Sequence, residues 1–137
     1  MKILLATQKP FAAAAVNGIR SILEEAGNEV VLLEKYAGED ELVAAVADVD
    51  AMIIRSDKVT ARVLDAAPKL KIVVRAGAGF DNVDLAAATA HGVVVENTPG
   101  QNSNAVAELA IAMMIYMSRN QFTPATGSGI QGKTLGI

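Results

Sequence analysis

Short aliphatic runs alternate with longer stretches in which apolar residues recur every three or four positions, from the first residues to about position 97. Ile3–Ala6, Val30–Leu33, Ala51–Ile54, Ile72–Val74 and Val93–Val95 are the runs. Each is apolar on both faces, the mark of strands buried in a parallel sheet. Between them the spacing predicts a helix over 10–26, with Pro10 in its first turn, Phe11, Val16, Ile19, Ile22 and Leu23 on one stripe, and Gly27 as its stop. A second helix is predicted over 40–47, with Leu42, Val43 and Val46 inward. A third runs from its cap Thr60 to Ala67, closed by Pro68, and a fourth covers 83–90 with Asp81 or Asn82 as cap. This alternation is the pattern of an α/β fold, a five-stranded parallel sheet covered on both faces through right-handed crossovers.

Beyond position 97 the pattern changes. Asn102 or Ser103 caps a long helix to about Met117, in which Val106, Leu109, Ile111, Met113, Met114, Ile115 and Met117 leave almost no polar face. A helix apolar all round is buried on more than one side. The five strands and their own helices do not need it, so it is expected to pack between two bodies, either two domains or two subunits. Residues 121–129 read as a linker rich in Gly, Thr, Ser and Pro. Gly132–Ile137 then reads as the start of a new strand without a successor, the cut edge of a larger protein. The expected division is residues 1–99, 100–121 and 122–137.

Composition narrows the chemistry. The chain has 137 residues, enough for one domain with a real core, and is 52% hydrophobic but only 4% aromatic. With no cysteine and one histidine, a disulfide scaffold, a thiolate metal site and a histidine cluster are excluded, and no metal is expected. A net charge of −3 argues against nucleic acid as a partner. Neither a secretory leader nor a membrane-spanning run is visible, so a cytoplasmic protein is expected.

In open parallel sheets ligands bind beyond the carboxyl ends of the strands. Three such ends carry Arg55-Ser56, Arg75 followed by Gly77-Ala78-Gly79, and Asn97-Thr98-Pro99. Glycine lets backbone N–H groups approach a ligand closely, and arginine suits bidentate carboxylate or phosphate. Isolated arginines are more often solvated, but two at equivalent strand ends, with loop amides and a helix N-terminus between them, point to a small anion of several charges. Gly77-Ala78-Gly79 with Glu96 imitates a dinucleotide fingerprint, but Asn82 stands where the third glycine belongs. His91 beside Gly92 reads as a helix C-cap, and Asp81 and Asp84 as a cap and a first-turn acid. No base oriented by a second group is evident, so no catalytic residue is expected in this chain.

Ile54-Arg55-Ser56, Val74-Arg75-Ala76-Gly77-Ala78-Gly79-Phe80-Asp81-Asn82-Val83-Asp84, Asn97-Thr98-Pro99-Gly100-Gln101-Asn102-Ser103, Val106-Ala107-Glu108-Leu109 and Gly132-Lys133-Thr134-Leu135-Gly136-Ile137 together carry a resemblance. They resemble the N-terminal part of the NAD-dependent D-2-hydroxyacid dehydrogenases, and the Arg-Ala-Gly-x-Gly form favours the phosphoglycerate dehydrogenase branch. The resemblance implies a flavodoxin-like substrate domain hinged to a Rossmann domain that holds NAD. It implies that Arg55 and Arg75 help bind the substrate phosphate, that the loop of Gly77, Ala78 and Gly79 takes its carboxylate, that Ser56 is a further substrate-binding residue, and that Asn102 lies at the substrate cleft. Ala78 and Val106 would approach the nicotinamide, and the long helix would be the one that crosses between domains.

The activity implied is oxidation of 3-phosphoglycerate to 3-phosphohydroxypyruvate at C2 in serine biosynthesis, by a homo-oligomer in the cytoplasm. The family's dinucleotide glycines and its catalytic Arg, Glu and His would follow Ile137, so the chain by itself is expected neither to bind NAD nor to turn over. The stretch between Arg119 and Gly132 resembles a shorter-linker subgroup, lacking an arm with an aromatic residue. Two other readings stand beside this one: a dehydrogenase of another D-2-hydroxy acid, and a free-standing flavodoxin-like binding module. Against the module, Thr7-Gln8-Lys9-Pro10 is not a flavodoxin phosphate loop, and Arg55 stands where a receiver domain needs an aspartate.

Overall fold

The computed structural model describes residues 1–136, which fall into two compact units, one from Met1 to Pro99 and one from Gly100 onward. The first unit alternates β1 (Lys2–Thr7), α1 (Ala13–Glu25), β2 (Glu29–Glu34), α2 (Glu39–Val46), β3 (Ala51–Ile54), α3 (Ala61–Asp65), β4 (Ile72–Arg75), α4 (Leu85–Ala90) and β5 (Val94–Asn97). All strand pairs are parallel, and the order β2-β1-β3-β4-β5 is that of the flavodoxin-like doubly wound sheet. The register sets Leu4 beside Val31 and Met52, and Met52 beside Val73. These residues share one face of the sheet. Against that face α2, α3 and α4 press Leu42, Val46, Val63, Leu64 and Ala88, all buried in a single cluster.

The opposite face is covered less completely than the sequence suggests. The predicted helix over 10–26 shortens to Ala13–Glu25; Pro10 and Phe11 precede it, and Ala12 is its N-cap. Of its apolar stripe only Val16 is buried, while Ile22 is 71% exposed. One helix cannot span five strands, so Leu32 and Val94 on this face stay exposed, although Ile3 and Leu5 at its centre are buried.

The helix predicted over 83–90 begins later than its sequence suggests. Val83 pairs as an isolated parallel bridge with Val59, Val59 N–H donates to Asn82 O at 2.9 Å and Asp84 N–H to Val59 O at 2.9 Å. Held extended there, the chain turns helical only at Leu85, and the cap is Asp84, whose Oδ1 accepts from Ala87 N–H at 3.0 Å. Neither Asp81 nor Asn82 caps it. Thr60 caps α3 as expected, accepting from Val63 N–H at 3.4 Å.

At the amino end of the sheet Asp48 accepts from Lys69 Nζ at 2.6 Å and from Lys2 Nζ at 3.3 Å. These two ammonium groups, Lys69 foremost, hold the Asp48 carboxyl below its ordinary value of 3.8. A depressed carboxylate adds stability above its ordinary value and loses it as the pH falls through the folded value. Because the groups are exposed the effect is small. Asp48→Asn is expected to leave stability at pH 7 nearly unchanged and to flatten its fall below about pH 4; urea melts across that range measure both.

In the second unit α5 (Ser103–Ser118) is followed by a 3-10 turn, Asn120–Phe122. Asn102 is the N-cap of α5 but makes no side-chain cap bond, and no residue of the helix is buried. Tyr116 and Phe122 meet edge to face at 5.3 Å between ring centres. Ile111, Met114, Ile130, Thr134 and Leu135 line a cavity of about 200 Å³. The strand expected from Gly132 is not formed among the described residues, since Lys133–Gly136 pair with no neighbouring strand; Ile137 lies outside the described residues. No helix among the described residues is long and apolar enough to cross a membrane.

Candidate functional site

The carboxyl ends of β3, β4 and β5 lie side by side, because Ile54 registers with Arg75 and Arg75 with Asn97. Arg55 follows Ile54 directly, so the two arginines leave adjacent strands one step apart. Arg55 is exposed and Arg75 half-buried, and neither makes an ion pair among the described residues. Arg75 Nε is buried without a hydrogen-bond partner. A buried donor left unpaired costs about 1–3 kcal/mol.

The Gly77 loop is fixed by its neighbours on both sides. Ala76 N–H donates to Ile54 O at 2.8 Å, Thr98 N–H to Gly77 O at 2.9 Å, and Asn97 Nδ2 to Ala78 O at 2.7 Å. The amides of Ala78 and Gly79 have no acceptor among the described residues. A Cβ at Gly77 would stand 1.6 Å from Arg75 Nη1 and 2.5 Å from its Cζ, so a larger residue there would displace the arginine side chain. The Arg75 guanidinium therefore lies across the glycine.

At the dinucleotide imitation the Arg75 guanidinium, the movable end of a side chain, lies over Gly77. The helix begins only at Leu85, and the Asp84 carboxylate occupies its end. The helix N-terminus expected to help hold an anion is taken by an acid. The donors left open at this edge are the guanidinium groups and the Ala78 and Gly79 amides.

Ser56 lies elsewhere on the same edge. It lines a cavity of about 370 Å³ with Gln8, Tyr36, Glu39, Lys58 and Thr60, on the β1 side of β3. The structure thus brings Arg55, Arg75, Gly77, Ala78 and Gly79 to the carboxyl ends of β3 and β4 and turns Ser56 toward β1. Asn102 and Val106 belong to the second unit, Asn102 at the start of α5 and Val106 exposed on it.

His91 keeps its capping place through its backbone N–H, which donates to Ala87 O at 3.0 Å. Its ring also meets Asp65 Oδ1 at 2.9 Å. Helix ends in this topology lie at the amino edge of the sheet, so this His–Asp pair stands at the opposite end from the arginines and cannot serve them. Among the described residues no group of acids and histidines could hold a metal ion.

Two residues with no sequence signal sit beneath the site. Asp57 is 4% exposed and Tyr36 7%. The Tyr36 hydroxyl donates to Asp57 Oδ1 at 2.6 Å, and burial, then this carboxylate, push its pKa above the ordinary tyrosine range.

Residues 11–133 match the family model described as D-isomer specific 2-hydroxyacid dehydrogenase, catalytic domain. D-3-phosphoglycerate dehydrogenase of Rattus norvegicus is 44% identical over 133 residues, covering 86% of this chain and 25% of that protein. The Mycobacterium tuberculosis protein of the same name is 46% identical over 112 residues, 72% of this chain and 21% of that protein. A crystal structure of NAD+-bound 3-phosphoglycerate dehydrogenase from Entamoeba histolytica superposes with a TM-score of 0.90 at 51% identity, over 93% of this chain and 42% of that one. The chain spans about a quarter of the length of the curated relatives it matches. With a family match across most of its residues and a shared parallel sheet, this chain belongs to the D-isomer specific 2-hydroxyacid dehydrogenases.

Proposed function

We propose that this chain is the substrate-binding part of an NAD-dependent D-3-phosphoglycerate dehydrogenase, which oxidises 3-phosphoglycerate to 3-phosphohydroxypyruvate at C2 in cytoplasmic serine biosynthesis. The observation that carries this reading is the pair of guanidinium groups on adjacent strands, without ion pairs among the described residues, beside a loop with two uncommitted amides. A phosphate and a carboxylate on one three-carbon ligand match that division of donors. Arg55 and Arg75 take the phosphate, the Gly77–Gly79 loop takes the carboxylate, and Asn102 adds a hydrogen bond, while Ser56, turned toward β1, would have to rotate to join them. Ala78 and Val106 border the nicotinamide in the whole enzyme. α5 is its interdomain helix, and the residues after it lead into the NAD-binding domain.

In this reading the chain contributes recognition, and the chemical step belongs to the rest of the enzyme. Titration of the 15N-labelled chain with 3-phosphoglycerate is expected to shift the amides of Arg55 and of Ala76–Gly79, with D-glycerate binding more weakly. NAD is expected to cause no saturable shift, and the chain to form no NADH from 3-phosphoglycerate. Equal affinity for both hydroxy acids would replace the phosphoglycerate reading with another D-2-hydroxy acid, and NADH formation would overturn the absence of catalytic residues.

The exposed Val106, Leu109, Met113 and Met117 of α5 support a homo-oligomer joined through this helix. Burying a single such side chain contributes about 1.5–3 kcal/mol, a strong drive to associate when several are exposed. Light scattering at micromolar concentration is expected to give a dimer or larger species for the chain and a smaller one for a Leu109→Lys, Met113→Lys variant. A monomer with α5 protected from hydrogen exchange would rule this out.

A further inference from the structure

Asp57 and Thr7 are the buried polar side chains of the first unit among the described residues, and Asp57 alone of the two is an acid. It makes no ion pair there. Its Oδ1 accepts from Gln8 N–H at 2.7 Å, in the loop after β1, and from the Tyr36 hydroxyl at 2.6 Å, in the loop after β2. Its Oδ2 accepts from Arg55 N–H at 3.4 Å, and its carbonyl oxygen accepts from Asn82 Nδ2 at 2.7 Å, in the loop after β4. One residue therefore joins four of the loops that leave the carboxyl edge of the sheet.

Arg55 and Ser56 are the two exposed residues between two buried anchors, Ile54 and Asp57. Ile54 is fixed by the β ladder and Asp57 by its carboxylate, so the direction in which Arg55 leaves the sheet is set at both ends. Val59, bridged to Val83, prevents the remainder of the loop from sliding. We infer that Asp57, held by Tyr36, is a positioning residue that aims Arg55 and thereby sets the preference for a phosphorylated ligand.

The chemistry of the pair supports that role. A carboxylate has no donor of its own and accepts at both oxygens, so it takes two donors at Oδ1 and a backbone N–H at Oδ2 at once. An asparagine in its place would turn an NH2 group toward either the Arg55 N–H or the Gln8 and Tyr36 donors, and one side of the junction must open. Tyr36 stays protonated and donating, as its raised pKa requires.

This inference rests on the reading of Arg55 as a phosphate ligand, and its test separates the two. The whole 137-residue chain, Asp57→Asn and Tyr36→Phe are titrated with 3-phosphoglycerate and with D-glycerate, and backbone 15N order parameters are measured without ligand. Asp57→Asn is expected to lose affinity for 3-phosphoglycerate by roughly tenfold and for D-glycerate by less than about twofold. The order parameters of Arg55 and Ser56 are expected to fall toward ~0.6 while β3 stays near ~0.85. Tyr36→Phe, which keeps the carboxylate and is the milder change, is expected to show the same split at roughly threefold, and decides the matter if Asp57→Asn does not fold. Equal losses on both ligands, or unchanged order parameters at Arg55 and Ser56, would overturn the inference. Absence of 3-phosphoglycerate binding by the unsubstituted chain would overturn the phosphate reading and the ligand preference built on it, while a fall in the Arg55 and Ser56 order parameters in Asp57→Asn would still support Asp57 as the residue that fixes the Arg55 backbone.

Discussion

Arg75→Ala is expected to weaken 3-phosphoglycerate binding by roughly ten- to a hundredfold, the worth of a charge-assisted contact of about 1.5–3 kcal/mol. The loss on D-glycerate should be far smaller, because the carboxylate is assigned to the Ala78 and Gly79 amides. In the whole enzyme the same change should appear mainly in KM for the phosphorylated substrate. Gly77→Ala reaches the same guanidinium without removing it. The added Cβ would lie 1.6 Å from Arg75 Nη1, so the side chain must swing away. It should therefore reproduce the direction of Arg75→Ala on 3-phosphoglycerate, at roughly fivefold for about 1 kcal/mol. Calorimetric titration of both variants measures this. An equal loss on both ligands would make Arg75 a carboxylate ligand or a structural group.

Leu4→Ala is expected to cost about 2–5 kcal/mol, the range for truncating a fully enclosed aliphatic side chain. Leu4 is 0% exposed and lies on β1, an interior strand, between Val31 and Met52, in one buried cluster with the helix residues Leu42 and Val46. Natural domains are stable by only about 5–15 kcal/mol, so the loss is a large share of what holds the first unit. Leu32→Ala supplies the contrast: it sits in the neighbouring strand on the incompletely covered face and is 39% exposed. It should cost roughly 1 kcal/mol, because water already reaches much of it. Urea melts of both variants, followed by circular dichroism, test whether the two faces differ as their burial indicates.

Much of the site was legible before the fold was seen, for a specific reason. Arg55 and Arg75 end strands, and strands in a parallel sheet announce themselves by aliphatic runs, so the place of both arginines follows from counting. The same holds for the Gly77–Gly79 loop. The capping of the following helix was not legible in the same way. Asp81, Asn82 and Asp84 are all good caps by residue type. The choice among them was made by Val83, held extended against Val59, and nothing in the local sequence reveals that pairing. Asp57 was hidden for a related reason. In the run Arg55-Ser56-Asp57-Lys58 it looks like one more polar loop residue, and only the arrival of Tyr36 and Gln8 from other loops encloses it.

By itself the sequence determined the five strands, their parallel arrangement and the place of the two arginines at strand ends. These depend on local periodicity and on residue type, which are properties of short stretches of chain. Tertiary structure decided what depends on meetings between distant stretches. It seated the Arg75 guanidinium over Gly77. It turned Ser56 toward the cavity beside β1 and away from the Gly77 loop. It carried the single histidine to Asp65 at the far end of the sheet. It also left Lys133–Gly136 unpaired, because a strand is defined by its hydrogen-bonded neighbour as much as by its own residues.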